Sequence, residues 1–79
     1  MKVYFMNEAQ AAQILLEAYN EALLRREQVT AIHLFGIKYA EELAALSVPA
    51  ILDKAGMRAS YATEIRKGMK LAQYVTVRD

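Results

Sequence analysis

Residues 51–68, "ILDKAGMRASYATEIRKG", decide the fold because a glycine divides two short amphipathic segments. Ile51 and Leu52 supply apolar side chains before Gly56, and Ile65 supplies one after it. Glycine adopts the left-handed backbone of a sharp turn without the steric cost that a side chain would add. The pattern therefore predicts two short helices joined at Gly56, which is the arrangement of a helix–turn–helix.

The side chains of this stretch divide into an inner and an outer face. Met57 follows the turn and is expected to plug the angle between the helices, and Gly68 is expected to end the second helix. The predicted inner face consists of Ile51, Leu52, Ala55, Ala62 and Ile65. The predicted outer face consists of Arg58, Ala59, Ser60, Thr63, Glu64 and Lys67. These outer side chains are small enough to approach base edges or basic enough to hold phosphate, so their face is a candidate DNA-binding surface.

Positive charge is concentrated in the part of the chain that holds this motif. The 79 residues have a formal net charge of only +1. Residues 1–46 contain four Lys or Arg and six Glu, a net charge of −2, whereas residues 47–79 contain six Lys or Arg and three Asp or Glu, a net charge of +3. A positive field over the motif favours a partner that carries phosphates.

The segment "EAQAAQILLEAYNEALLRR", residues 8–26, predicts a long first helix. Asn7 is a good N-cap, and Gln10 three residues later completes a capping box. Arg25 and Arg26 suit the negative end of the helix dipole. The predicted buried stripe consists of Ala11, Ile14, Leu15, Ala18, Ala22 and Leu23.

A second helix is expected over residues 31–46, "AIHLFGIKYAEELAAL", with Thr30 as its cap. Residues 29–37 also fit a strand, because they are rich in β-branched and aromatic residues and Gly36 costs a helix about 1 kcal/mol relative to alanine. Helix is favoured because so short a chain cannot supply partners for a central strand. The expected buried side consists of Ile32, Phe35, Tyr39, Leu43 and Leu46.

The first helix of the motif has its own start signal. Ser47 is a good N-cap, and Pro49 lies in the first turn, where no amide donor is needed. At the two ends of the chain, "MKVYFM" (1–6) and "YVTV" (74–77) alternate as short strands do. The expected fold is mainly α: one compact domain over residues 1–79 with four or five helices, a helix–turn–helix at about 47–70, and short terminal β-strands.

Several function classes are excluded or disfavoured by composition. The chain has no cysteine and one histidine, His33, so a Cys/His zinc site, thiol catalysis and disulfides are excluded. We expect neither an enzyme nor a cofactor, and we interpret His33 as a packed or surface residue without a partner for metal binding or catalysis. No 18-residue apolar span and no signal peptide occur in the sequence, so we expect a cytoplasmic protein.

The stretch around Gly56 also resembles the lambda-repressor and Cro-like helix–turn–helix family, over about residues 47–70. The sequence departs from the family at Leu52, where an alanine is usual, at Ala62, where a β-branched residue is usual, and at Arg58, where a capping hydroxyl is usual. Leu52 is larger and Ala62 is smaller than the residue usual at its position, and this large-for-small swap conserves their combined volume. The resemblance is carried by Gly56, Met57, Ser60, Tyr61, Ile65 and Gly68.

Carried over by position, the resemblance implies two sets of DNA contacts. Serine can contact any base, glutamate can accept a hydrogen bond from a cytosine amine, and the alanine methyl can meet a thymine methyl. The implied base contacts are Ala59, Ser60, Thr63 and Glu64. The implied phosphate contacts are Arg58, Tyr61, Arg66, Lys67, Lys70 and the amides near Ser47.

Size and resemblance together favour a dimeric regulator that binds an inverted-repeat operator in double-stranded DNA. The expected dimer contact is the C-terminal strand, the first helix or both, and no small-molecule effector is expected. The role that fits best is an autorepressor of a phage or mobile-element operon, including one associated with anti-CRISPR genes. The alternative is a protein-interaction module, antitoxin-like or a phage accessory protein, that keeps the fold without binding DNA.

Overall fold

The computed structural model describes residues 6–78 and confirms a mainly α fold for them. These residues form no β-strand. The predicted strand at 1–6 lies outside the described residues except for Met6, and the predicted strand at 74–77 is wrong, because Tyr74 belongs to the turn that closes the last helix. The five helices within 6–78 are α1 (Glu8–Leu23), α2 (Gln28–Lys38), α3 (Ala40–Leu43), α4 (Val48–Ala55) and α5 (Tyr61–Leu71).

The start of α1 is the capping box that the sequence predicts. The Asn7 side chain accepts from the Gln10 amide at 2.8 Å, and the Gln10 side chain accepts from the Asn7 amide at 3.0 Å. The end of α1 comes earlier than predicted, so Arg25 and Arg26 lie in the following turn. Burial of Leu23 was a wrong prediction: it is the last helical residue and is 43% exposed, whereas Ala12 is buried.

Residues 29–37 are helical, but the long helix predicted after Thr30 is shorter and begins earlier. Glu27 is at the N-cap position of α2, so Thr30 lies within the first turn and the predicted cap is wrong. The backbone leaves helical geometry at Tyr39, with φ −111° and ψ 23°, which separates α2 from α3. The predicted inner side still faces the core: Ile32, Phe35 and Leu43 are buried, and Tyr39 and Leu46 pack against them.

One hydrophobic core joins all five helices in the described part of the chain. The largest fully buried side chains come from every helix, and no polar side chain among residues 6–78 is fully buried. No helix in this range is long and apolar enough to cross a membrane. The largest core residues are Leu15, Ile32, Leu43, Ile51, Leu52 and Ile65.

Two glycines set the distance between α2 and α5. A Cβ added to Gly36 would lie 2.3 Å from the carbonyl oxygen of Ile65, and one added to Gly68 would lie 2.3 Å from the carbonyl oxygen of His33. Gly68 was predicted to end the last helix, but α5 continues to Leu71. The prediction was wrong because both glycines serve helix–helix contact, in which the missing side chain lets two backbones touch.

We expect Gly68→Ala to lower the free energy of unfolding by about 2 kcal/mol or more, because backbone atoms of α2 cannot yield to the new methyl group as a flexible side chain could. Alanine would otherwise favour the helix by about 1 kcal/mol. Gly56→Ala is the control: its φ of +69° is strained for alanine, but no atom lies within 4 Å of the new methyl group. Chemical denaturation should show a smaller loss for Gly56→Ala, about 1 kcal/mol. A Gly68→Ala protein as stable as the wild type would contradict the close crossing.

Candidate nucleic-acid interface

The turn between α4 and α5 has the geometry that the sequence predicts. The Ser47 hydroxyl accepts from the Ala50 amide at 3.2 Å and begins α4, and Gly56 ends it in the left-handed conformation. Across that glycine, the Met57 amide donates to the Leu52 carbonyl at 2.9 Å. Such a bond closes a helix C-terminus and redirects the chain. The direction in which α5 leaves α4 is therefore fixed by the backbone at Gly56.

The inner face of the motif packs into the core as predicted, with Ala55 only partly buried. Ala62 and Ile65 from α5 join the same core as Ile51 and Leu52 from α4. Both members of the large-for-small swap, Leu52 and Ala62, are among the buried residues. Met57 is half-buried and packs against the core, as its predicted place between the helices requires. This packing turns the opposite side of α5 toward solvent.

The amides at the start of α5 donate to backbone carbonyls rather than to a capping side chain. The carbonyls of Arg58 and Ala59 accept from the amides of Tyr61 and Ala62 at 3.1 and 3.0 Å. Within the described residues, the Ser60 hydroxyl makes no capping hydrogen bond to the helix. Arg58 therefore takes no part in capping through its side chain, which is exposed.

An outward stripe runs along α5, from its N-cap residue Ser60 to Tyr74 in the turn that follows the helix. Its members recur at intervals of three and four residues, which places them on one side of a helix. All of them are exposed, and Ala59 and Arg66 are exposed next to them. The outward stripe consists of Ser60, Thr63, Lys67, Lys70 and Tyr74. Most of the predicted DNA contacts thus share one accessible surface.

Glu64 lies at the edge of this surface, where its carboxylate is already engaged. Its Oε1 lies 2.6 Å from Nε2 of His33 on α2, and its Oε2 lies 3.6 Å from Nζ of Lys67. A carboxylate can only accept, so His33 donates from Nε2. The hydrogen bond from His33 and the charge of Lys67 lower the pKa of Glu64, against the opposing effect of partial burial. The interpretation of His33 as a packed or surface residue did not foresee its pairing with Glu64, because a contact between residues 31 positions apart leaves no local sequence signal.

Tyr61, a predicted phosphate contact, is half-buried and turned toward α1. Its hydroxyl lies 3.5 Å from that of Tyr19, and the two ring centroids are 5.9 Å apart. Pairing with Tyr61 raises the pKa of the Tyr19 hydroxyl, and the positive charge of Arg58 partly offsets that rise. The tyrosine pair therefore joins α1 to the start of α5.

The Ser47 amide, predicted to hold a phosphate, already has an anionic acceptor. It donates to Oε2 of Glu8 at 3.0 Å, and this hydrogen bond is the main reason that the pKa of Glu8 is lowered. A phosphate at that amide would have to displace the carboxylate. The carboxylate also ties the start of α1 to the start of α4, so it positions the motif against the first helix.

We expect His33→Ala to raise the pKa of the Glu64 carboxyl, because the hydrogen bond from His33 is the largest cause of its lowering. Lys67→Ala is the control and should raise it less. A carboxyl ¹³C titration by NMR would measure both shifts, and a larger shift in Lys67→Ala would contradict the pairing. Because the folded-state pKa is the lower one, the pair stabilises the fold above the unfolded value of about 4.3 and loses this effect as pH falls through the folded pKa.

The comparisons with known proteins agree with this geometry. Residues 7–78 match the family described as HTH-like domain, which spans α1 through α5. No curated protein and no solved structure matches the chain. The match covers almost the whole sequence, and the left-handed turn at Gly56 joins the two helices that such a motif requires. The chain therefore belongs to the HTH-like domain family.

Proposed function

We propose that this protein is a sequence-specific DNA-binding regulator in which α5 enters the major groove. The observation that carries the proposal is the outward stripe of α5, which is polar and basic from Ser60 to Lys70 and is held outward by the buried face of the same helix. A helix presented in this way fits the width of the major groove. Membership of the HTH-like domain family supports the same role.

The proposed base contacts are Ala59, Ser60, Thr63 and Glu64. The first three are exposed at the start of α5, where recognition helices of this kind approach base edges. Glu64 is held by His33, but a carboxylate has about four acceptor positions. It can therefore keep His33 and still accept from the amine of a cytosine.

The proposed phosphate contacts surround these residues. Arg58, Arg66 and Lys70 are exposed cations on or beside α5, and Lys67 has only a long contact of 3.6 Å with Glu64. Tyr61 and the amides near Ser47 remain in this set as predictions. Phosphate contacts position the helix on the duplex but carry no sequence information.

The regulatory role that we propose is repression by a dimer that occludes a promoter, with an inverted repeat as the operator. The helix–turn–helix motif resembles that of lambda-repressor and Cro-like proteins. All five helices of the described residues contribute to one hydrophobic core. Autoregulation of a phage or mobile-element operon, including one with anti-CRISPR genes, fits such a protein. Footprinting of the DNA upstream of its own gene would test that role.

A salt titration tests DNA binding itself. We expect binding to random duplex DNA, followed by fluorescence polarisation, to weaken steeply as salt is raised, because each phosphate contact releases counterions. Absence of binding at low salt would overturn the proposal and favour a protein-interaction module of the same fold.

We expect Arg58→Ala to weaken binding to all duplex sequences and to reduce the slope of log K against log salt by about 0.9, the value for one lost phosphate contact. Arg25→Ala is a matched control, because Arg25 lies in the turn after α1 and pairs with Glu21 and Glu27. The same titration would measure both slopes. An Arg58→Ala slope equal to that of wild type would remove Arg58 from the phosphate contacts.

We expect Glu64→Gln to change the preferred base at one position of the site from cytosine toward adenine, because glutamine donates to and accepts from the edge of adenine. Selection from a random duplex library followed by sequencing would measure the preference. Glu21→Gln, an exposed change on α1, should leave it unaltered. Identical preferences for wild type and Glu64→Gln would show that Glu64 serves only as the partner of His33.

A further inference from the structure

The contact between His33 and Glu64 joins the edge of the outward stripe to α2, a helix outside the helix–turn–helix. Nε2 of His33 lies 2.6 Å from Oε1 of Glu64, a short distance for a hydrogen bond to a carboxylate. The histidine side chain is 32% exposed and the glutamate side chain 25%, so water competes with this contact less than with a fully exposed pair. The contact therefore favours one position of the carboxylate.

The backbone that carries His33 is itself fixed against α5. A Cβ added to Gly68 would lie 2.3 Å from the carbonyl oxygen of His33, so main-chain atoms of the two helices meet at this residue. The imidazole ring is also stiffer than a glutamate side chain, which loses more rotamer freedom when it is ordered. The donor is thus positioned by backbone contact, and it can hold the more flexible acceptor.

The two oxygens of the Glu64 carboxylate are held unequally. Oε1 accepts the short hydrogen bond from His33, whereas Oε2 lies 3.6 Å from Nζ of Lys67, beyond hydrogen-bond distance. The Lys67 side chain is exposed, so a phosphate can draw its ammonium group away from Glu64. Oε2 is therefore the oxygen that is available to a partner of α5.

We propose that His33 is a positioning residue that determines which base α5 reads, by holding Oε1 of Glu64 so that Oε2 is presented to the major groove. The inference rests on the proposed DNA-binding function. An acceptor held in place matches the amine of cytosine and opposes the carbonyl acceptor that thymine presents at the same edge. A glutamate without His33 turns away from thymine, so the repulsive part of the discrimination is lost.

Binding to two duplexes tests this role. Both carry the sequence selected by the wild type, and they differ only by cytosine or thymine at the base pair where Glu64→Gln changes the preference. We expect His33→Leu to lower the wild-type preference for the cytosine duplex, measured as the ratio of the two Kd values, by roughly fivefold or more. His33→Gln should retain most of the preference, because a glutamine amide can donate to Oε1 as the imidazole does.

The ratio of the two Kd values separates positioning from structural support. If His33 only stabilised the fold, His33→Leu would weaken binding to both duplexes by the same factor and leave their ratio unchanged. Tyr19→Phe is the matched control, since it removes a hydroxyl of α1 that lies 3.5 Å from the Tyr61 hydroxyl on α5, and it should keep the wild-type ratio. In a Glu64→Ala background, adding His33→Leu should not change the ratio, because His33 acts through Glu64.

The same measurements distinguish this inference from the proposed function. DNA binding with equal ratios for wild type and His33→Leu would retain the function and overturn the inference, as would a Glu64→Gln protein with unaltered preference. An equal fall of the ratio in Tyr19→Phe would also overturn the inference, because general support of α5 would then account for it. No binding to any duplex at low salt would overturn the function and, with it, the inference.

Discussion

The structure depends on the close crossing of α2 and α5 at Gly36 and Gly68. Each glycine lies against a backbone carbonyl of the other helix, so the separation between the helices is set by main-chain atoms rather than by adaptable side chains. Backbone contact of this kind leaves little room for the helices to shift. The α5 helix is thereby seated on the body of the domain along its buried side, and its opposite side faces outward.

Two further contacts fix the same helix at other points. The Tyr19–Tyr61 pair lies at the start of α5, and the His33–Glu64 pair lies one turn further on. Gly36 and Gly68 follow after another turn. Partners from α1 and α2 thus hold α5 along its length, and α4 packs on it through the core. This support suits the proposed role of α5, because a small change in the angle of a helix in the major groove would move its side chains relative to the base edges.

Local chemistry accounts for what the sequence predicted correctly, and long-range contact accounts for what it missed. The caps at Asn7 and Ser47 and the left-handed turn at Gly56 depend on residues within a few positions, so their patterns are readable in one chain. The same local reasoning predicted that Gly68 ends a helix. Gly68 instead lies against Gly36 of α2, 32 positions earlier in the chain. Residues 74–77 alternate as a strand does, but Tyr74 continues the hydrogen bonding of α5 instead.

The two anionic side chains at the proposed interface would have the same electrostatic effect on DNA. Glu8 occupies the amide at the start of α4, and Glu64 lies between a histidine and a lysine on the face of α5. Near DNA, each carboxylate repels phosphates and so opposes nonspecific attraction by the neighbouring cations. If Glu64 contacts a base as proposed, charges of both signs on one surface lower the affinity for an arbitrary duplex more than for a sequence whose bases satisfy this carboxylate. The net charge of only +1 is therefore compatible with the proposed sequence-specific binding.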